Sequence, residues 1–210
     1  MRVILIRHGC TAGNMEKRYI GRTDEPLCGV GIQRLEDAVR KNIYPHADKV
    51  VASPMLRCIE TANIIYPGAD VYTEPRLREC DFGIFEGKNF RELSDNPLYR
   101  EWVESGGNMR FPGGELPEDF KDRCTEGFFD VLKSCYDENK TLAVIAHGGT
   151  VMSVMSYACK GGYFDYSCEN GSGYICDFKM GKIFENKAAG RPKDAKTCYF
   201  YCTGYTGLGS

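Results

Sequence analysis

Two short apolar runs rich in β-branched residues each stop at a histidine followed by glycine. Val3-Ile4-Leu5-Ile6 leads into Arg7-His8-Gly9, and Leu142-Ala143-Val144-Ile145-Ala146 leads into His147-Gly148-Gly149-Thr150. Runs of this length, uninterrupted by charge, are the pattern of strands buried on both faces, as in a parallel sheet covered by helices. Further strand signals fall at 49–52, 69–73, 174–178 and 182–185, the last two joined by a turn at Met180-Gly181. Helical spacing of apolar residues runs over 31–42, 56–65, 117–136 and 151–158. Strands alternating with helices predict an α/β fold, a three-layer sandwich with a mostly parallel central sheet, helices on both faces and an antiparallel C-terminal strand. The 210 residues suit one core, so 1–210 reads as a single domain. A helical cap insertion is expected at about 82–116, where Gly, Pro and charge replace strand signals and the only tryptophan, Trp102, sits. The tail, 199–210, with glycines at 204, 207 and 209, is expected to be loose at its end.

Composition then excludes several classes. A net charge of -2 without a long basic run lacks the electrostatic footprint of a nucleic-acid or membrane-surface protein. The apolar start is broken by Arg7-His8, too early for a signal peptide or a membrane helix. Eleven cysteines, odd in number and scattered with no C-x-x-C pair, argue against zinc and for reduced thiols, hence a cytoplasmic protein.

The chemistry gathers at strand ends. Arg7 and His8 stand at the carboxyl end of the first strand, where open α/β sheets bind ligands, and His147 stands at the end of another, beside a helix N-terminus that favours anions. A third strand ends at Ser53-Pro54 and opens a helix whose first turns carry Arg57 and Thr61. A lone histidine after a strand is commonly structural. Two arginines and two histidines at one sheet edge carry more positive charge than a fold tolerates without an anionic partner. A phosphate or a carboxylate ligand would supply it.

These residues fall in a known pattern: the sequence resembles the histidine phosphatase superfamily, also called phosphoglycerate mutase-like. The resemblance covers most of the chain. It rests on Ile4-Leu5-Ile6-Arg7-His8-Gly9 with Asn14, on Gly21-Arg22-Thr23-Asp24-Glu25-Pro26-Leu27 with Gly31 and Gln33, and on Ser53-Pro54-Met55-Leu56-Arg57 with Thr61-Ala62. Leu77-Arg78-Glu79 with Phe82-Gly83 and Glu86-Gly87 matches the acidic loop, and Ala146-His147-Gly148-Gly149 the second histidine. The resemblance implies that His8 is the nucleophile of a phosphohistidine mechanism and that Arg7, Arg57, His147 and Gly148 bind the phosphoryl group with help from Asn14. Glu79 would be the proton donor and Glu86 structural, with Gly21, Arg22 and Trp102 contacting substrate. Such chemistry needs one unprotonated imidazole nitrogen on His8, fixed by a hydrogen bond from the other to a carbonyl near Gly9. It also needs a Glu79 that titrates high. It needs no cofactor and no metal, so activity is expected to survive EDTA.

This chain departs from the family pattern in places. Cys10 stands where many relatives carry glutamate, Cys28 where they have Thr or Ser, and Ile20 where a small polar residue is common. The helix near Gly31 should therefore lack a hydroxyl cap. Cys10, Cys58 and Cys80 flank residues assigned to the site, and lowered thiol pKa values beside arginines would expose them to peroxide. The segment after Glu79 lacks the longer basic insertion of the mutase branch, which favours hydrolysis over phosphoryl transfer. Phe82-Gly83-Ile84-Phe85-Glu86-Gly87, Tyr99, Trp102, Pro112-Gly113-Gly114-Glu115, Phe120 and Arg123 resemble the alpha-ribazole phosphatase branch, with Trp102, Phe85 and Phe111 open to two readings, a wall for a flat ring or core packing. The expected partner is a small phosphate ester, with alpha-ribazole 5′-phosphate the named substrate and a broad-specificity phosphomonoesterase the alternative, and the expected state a monomer or homodimer. The alternatives are mutase-type transfer and a non-catalytic, phosphate-binding regulatory protein.

Overall fold

The computed structural model describes residues 1–181 and 199–209. Six strands form one sheet in the order β3-β2-β4-β1-β5-β6. They are β1 (Arg2–Arg7), β2 (Lys49–Ala52), β3 (Val71–Thr73), β4 (Thr141–Ala146), β5 (Gly173–Gly181) and β6 (Tyr199–Leu208). The first four pair in parallel, and β5 and β6 are antiparallel. The α/β architecture expected from the strand–helix alternation is therefore present.

The two central strands explain the continuous apolar runs. Along β1, Val3 and Leu5 face a cluster with Phe128 and Val151, supplied by helices α6 (Pro117–Cys135) and α7 (Gly148–Ala158). Ile4 and Ile6 face the opposite cluster with Leu35 and Ala62, from α2 (Gly29–Arg40) and α3 (Leu56–Ile65). Alternate side chains of one strand thus bury on opposite faces, each large aliphatic worth about 1.5–3 kcal/mol. Local signals set the helix starts. The four-residue α1 (Ala12–Met15) opens with a capping box between Thr11 and Asn14, and α6 with Pro117 and two acids in its first turn. As expected, Cys28 gives α2 no side-chain cap. Among the described residues no helix is long and apolar enough to cross a membrane.

Register decides the function. Arg7 pairs with Ala146, and Ala52 with Ile145, so three parallel strands end within one residue of each other. The His8 amide donates to Ala146 O and the Ser53 amide to Ile145 O, both at 2.9 Å, carrying the ladder past the strand ends.

Two expectations are corrected at the C-terminal end. Met180 and Gly181 are strand, not turn: β5 runs through them and pairs with β6 from Gly173↔Leu208 to Gly181↔Tyr199. The expected strand at 182–185 lies outside the described residues. The tail expected to be loose at its end is the edge strand β6 through Leu208, in which Phe200 and Cys202 pack against the core, and Ser210 lies outside the described residues. Aromatic and β-branched residues favour this strand, and its glycines are tolerated at an edge where one side goes unpaired.

Between 82 and 116 lie a 3₁₀ turn (Gly83–Phe85), α4 (Phe90–Leu93) and α5 (Pro97–Glu104). Phe85, Leu93 and Phe111 are buried there with Cys80, Phe120 and Cys124. Gly83 is required: its φ is +55°, and a Cβ would lie 2.1 Å from Pro112 O.

Candidate active site

His8 leaves β1 as a buried side chain, 4% exposed. Its Nδ1 lies 2.7 Å from Gly9 O. A carbonyl can only accept, so Nδ1 carries the proton and Nε2 holds the lone pair. Burial first, then the charge of Arg57 and that of Arg7, push the His8 pKa down to about 3, against the opposing Gly9 hydrogen bond. The result is a neutral imidazole whose Nε2 lone pair is unprotonated.

His147 precedes α7 and is fully buried, its Nε2 2.8 Å from Ser53 Oγ. Burial, then Arg57, His8 and Arg7, hold it well below its ordinary pKa. The two rings meet edge to face with centroids 5.2 Å apart.

Arg57, on the first turn of α3, has no exposed surface. Its Nη1 donates to Thr23 O at 2.8 Å, and its Nη2 to Gly21 O at 3.0 Å and Ile20 O at 3.4 Å. Arg7 Nη1 donates to Cys168 O at 2.7 Å. Every partner of either guanidinium among the described residues is a backbone carbonyl, and the buried Nε of both has none. A buried N–H left unpaired costs about 1–3 kcal/mol, and a buried charge needs compensation. Gly148 adjoins the Arg7 orphan: a Cβ there would lie 3.3 Å from Arg7 Nε.

Glu79 completes the group from a loop before the cap. Its Oε1 accepts the Cys80 amide at 2.9 Å and its Oε2 the Gly149 amide at 3.1 Å, at the N-terminus of α7. A Cβ on Gly149 would sit 2.4 Å from Glu79 Oε1, so only glycine lets the carboxylate this close. Burial raises the Glu79 pKa, opposed by the two amides and then by Arg57 and Arg7. A neutral nucleophile, two guanidiniums with spare donors and a high-titrating carboxyl can together transfer a phosphoryl group.

Residues 3–186 match the family model described as histidine phosphatase superfamily (branch 1). The chain belongs to the histidine phosphatase superfamily. It is 30% identical over 169 residues to a protein of Enterobacter sp. (strain 638) provisionally named phosphoglycerate mutase GpmB, covering 75% of this chain and 78% of the relative. It is 28% identical over 158 residues to one of Hydrogenobacter thermophilus provisionally named phosphoserine phosphatase 2, covering 73% and 76%. In fold it resembles the solved alpha-ribazole phosphatase from Shigella flexneri, with TM-score 0.74 and 21% identity over 92% of this chain and 100% of that one.

The remaining candidates of this histidine phosphatase fall in different places. Asn14 Oδ1 accepts from the Thr11 amide and from Asn170 Nδ2, at 3.2 and 3.0 Å. Asn170 Nδ2 also lies 3.1 Å from His8 O, which links Asn14 to the His8 backbone. Gly21 belongs to the loop that holds Arg57, and its amide donates to Glu86, which also accepts from the Arg22 amide and Thr23 Oγ1. Glu86 thereby ties its own segment to this loop. Arg22 pairs with Asp81 at 3.1 Å, largely in solvent. Trp102 stacks on Phe111 at 4.7 Å and gives its Nε1–H to Met109 O, contacts that join it to the cap rather than to the histidines. Of the two readings open for these rings, a wall for a flat ring or core packing, burial of Phe85 and Phe111 fits core packing.

The expected thiol activation is also corrected. Burial is the largest influence on Cys10, Cys58 and Cys80, and it raises all three pKa values despite the arginines. Sequence reasoning passed over the roles of Ser53 and Asn170. It noted Thr61 without its contacts: Oγ1 accepts the Gly9 amide at 2.9 Å and donates to Arg57 O at 2.6 Å, joining the His8–Gly9 loop to the helix of Arg57. Nothing local marks these roles, because the partners that define them, Gly9 for Thr61, His147 for Ser53 and His8 for Asn170, lie 52 to 162 positions away.

Proposed function

We propose that this enzyme hydrolyses a small-molecule phosphate monoester through a phosphohistidine on His8. The observation that carries the proposal is the pair of buried, unpartnered Nε–H groups of Arg7 and Arg57 beside a neutral His8 with its lone pair on Nε2. In the first step Nε2 attacks phosphorus; the P–N bond forms as the ester P–O bond breaks. Charge on the equatorial oxygens is met by Arg7, Arg57 and His147. Glu79, protonated, gives its proton to the leaving alkoxide. Water then attacks phosphorus, Glu79 takes its proton, the P–N bond breaks and inorganic phosphate leaves. Asn14 and Gly148 assist from the edges of the anion site.

Hydrolysis rather than transfer to a sugar acid is supported by the sequence of the cap, which lacks the longer basic insertion with paired arginines of the mutase branch. Alpha-ribazole 5′-phosphate is the named substrate, resting on cap motifs and on the function named for the Shigella neighbour. We place the reaction in the cytoplasm.

The test is hydrolysis of an aryl phosphate and of alpha-ribazole 5′-phosphate by wild type and His8→Ala, with EDTA throughout. Wild type should release phosphate, and the variant should lose on the order of 10³-fold or more. Inertness toward both with conversion of 3-phosphoglycerate would replace hydrolysis by transfer, the activity named for the Enterobacter relative. Inertness toward all three favours the non-catalytic, phosphate-binding alternative.

A further inference from the structure

The loop that carries Glu79 has no strand partner; it is a 3₁₀ turn, Pro75–Leu77, followed by extended residues. Its carbonyls need donors from elsewhere, and one side chain supplies most of them. Arg123, on the second turn of α6, donates from Nη1 to Arg76 O at 2.8 Å and Arg78 O at 2.9 Å, and from Nη2 to Glu79 O at 3.3 Å. Its Nε and Nη2 also form a fork with Glu115, at 2.8 and 2.7 Å. These contacts use all five N–H donors that a guanidinium has. Thr150 Oγ1 takes the intervening carbonyl, Leu77 O, at 3.2 Å. The plane is supported from below by the Phe120 ring, 5.1 Å from the guanidinium carbon.

We infer that Arg123 is a positioning residue for the proton donor, fixing the backbone of the Glu79 loop so that the carboxyl meets the leaving oxygen. This rests on the assignment of Glu79 given above. The action is geometric: Arg123 touches Glu79 through its carbonyl alone, and its charge is matched by Glu115. Glu115 is tied in turn to the loop's far end, its amide donating to Asp81 O at 2.9 Å. Arg7 at the end of β1, His8 just past it and Arg57 on α3 lie outside this clamp. Loss of the clamp therefore displaces the acid and leaves attack intact. Lysine cannot substitute, because three donors on a point charge cannot hold three carbonyls and a carboxylate fork.

The test separates acid function from mere folding by the leaving group. A dinitrophenolate departs without a proton; an alkoxide does not. Single-turnover rates of phosphohistidine formation are measured for wild type and Arg123→Gln with 2,4-dinitrophenyl phosphate and with a primary alkyl phosphate, after thermal melts show both proteins folded. The variant should lose about 10²-fold with the alkyl ester, the cost of a misplacement near 1 Å, and under about threefold with the dinitrophenyl ester. Phosphohistidine should also accumulate longer in the variant, because the same carboxylate activates water. Glu115→Gln should show the same split with smaller amplitude, and it decides the matter if Arg123→Gln does not fold. Equal losses on both esters, or none on either, overturn the inference. Absence of phosphohistidine in wild type itself overturns instead the reading beneath it.

Discussion

Replacing Arg57 by glutamine separates the cost of holding this guanidinium from its use. In the free protein its charge rests on three carbonyls and its Nε–H is unpaired, with no exposed surface to borrow water from. Glutamine removes a buried charge that costs several kcal/mol, and it orphans carbonyls worth about 1–3 kcal/mol each, so the two effects roughly offset. The free variant should melt within a few degrees of wild type. Phosphate is where they part. At 100 times its dissociation constant, phosphate adds about 2.7 kcal/mol to wild type, and at about 2–4 °C per kcal/mol the midpoint rises by about 5–11 °C. A lost charge-assisted hydrogen bond of about 1.5–3 kcal/mol weakens the anion roughly 10- to 100-fold. At the same concentration the variant then gains only about 0.4–1.4 kcal/mol, or about 1–6 °C. Turnover should fall about 10²–10³-fold, as for loss of one preorganised donor. The assay is a thermal melt across a phosphate titration, paired with aryl phosphate turnover. A variant that keeps the full phosphate-induced rise would refute the reasoning from the orphaned N–H.

Three further outcomes can be measured. His8, held to about 3, and His147, also depressed, are neutral when folded, whereas unfolded histidine titrates near 6.5. Between those values the unfolded chain binds more protons, so the stability from both is full above about pH 6.5 and lost as pH falls, at up to about 1.4 kcal/mol per unit for each histidine. Glu79, raised, works with the opposite sign, its contribution lost as pH rises through its folded value, but it is one group against two. Urea midpoints measured from pH 7 to 4 should therefore decline, and midpoints that do not move would contradict the neutral pair. Gly21→Ala should cost more than about tenfold in activity, since a Cβ would stand 1.8 Å from Cys80 O and the loop holding Arg57 must shift. Gly29→Ala, with nothing within 4 Å of its Cβ at the start of α2, should keep activity and gain up to about 1 kcal/mol in a denaturant melt.

The amino-acid sequence alone determined the central strands, the α/β class and the residues at the strand ends. A strand buried on both faces must be continuously apolar, so Val3–Ile6 and 142–146 could be recognised without partners, and the histidines that stop them stood out. Even the tautomer of His8 was legible, because Gly9 is its chain neighbour. The pairing of β5 with β6 was not, since antiparallel partners that are distant in the chain leave no turn motif, and the glycines of β6 argued locally for a loose tail. Only the tertiary structure joined Ser53 to His147, Thr61 to Gly9 and Arg123 to the Glu79 loop. It also reversed the expectation for the thiols. Proximity to an arginine can be read from spacing, but desolvation depends on what every other element packs over the group, and at Cys58 and Cys80 it is the larger of the two.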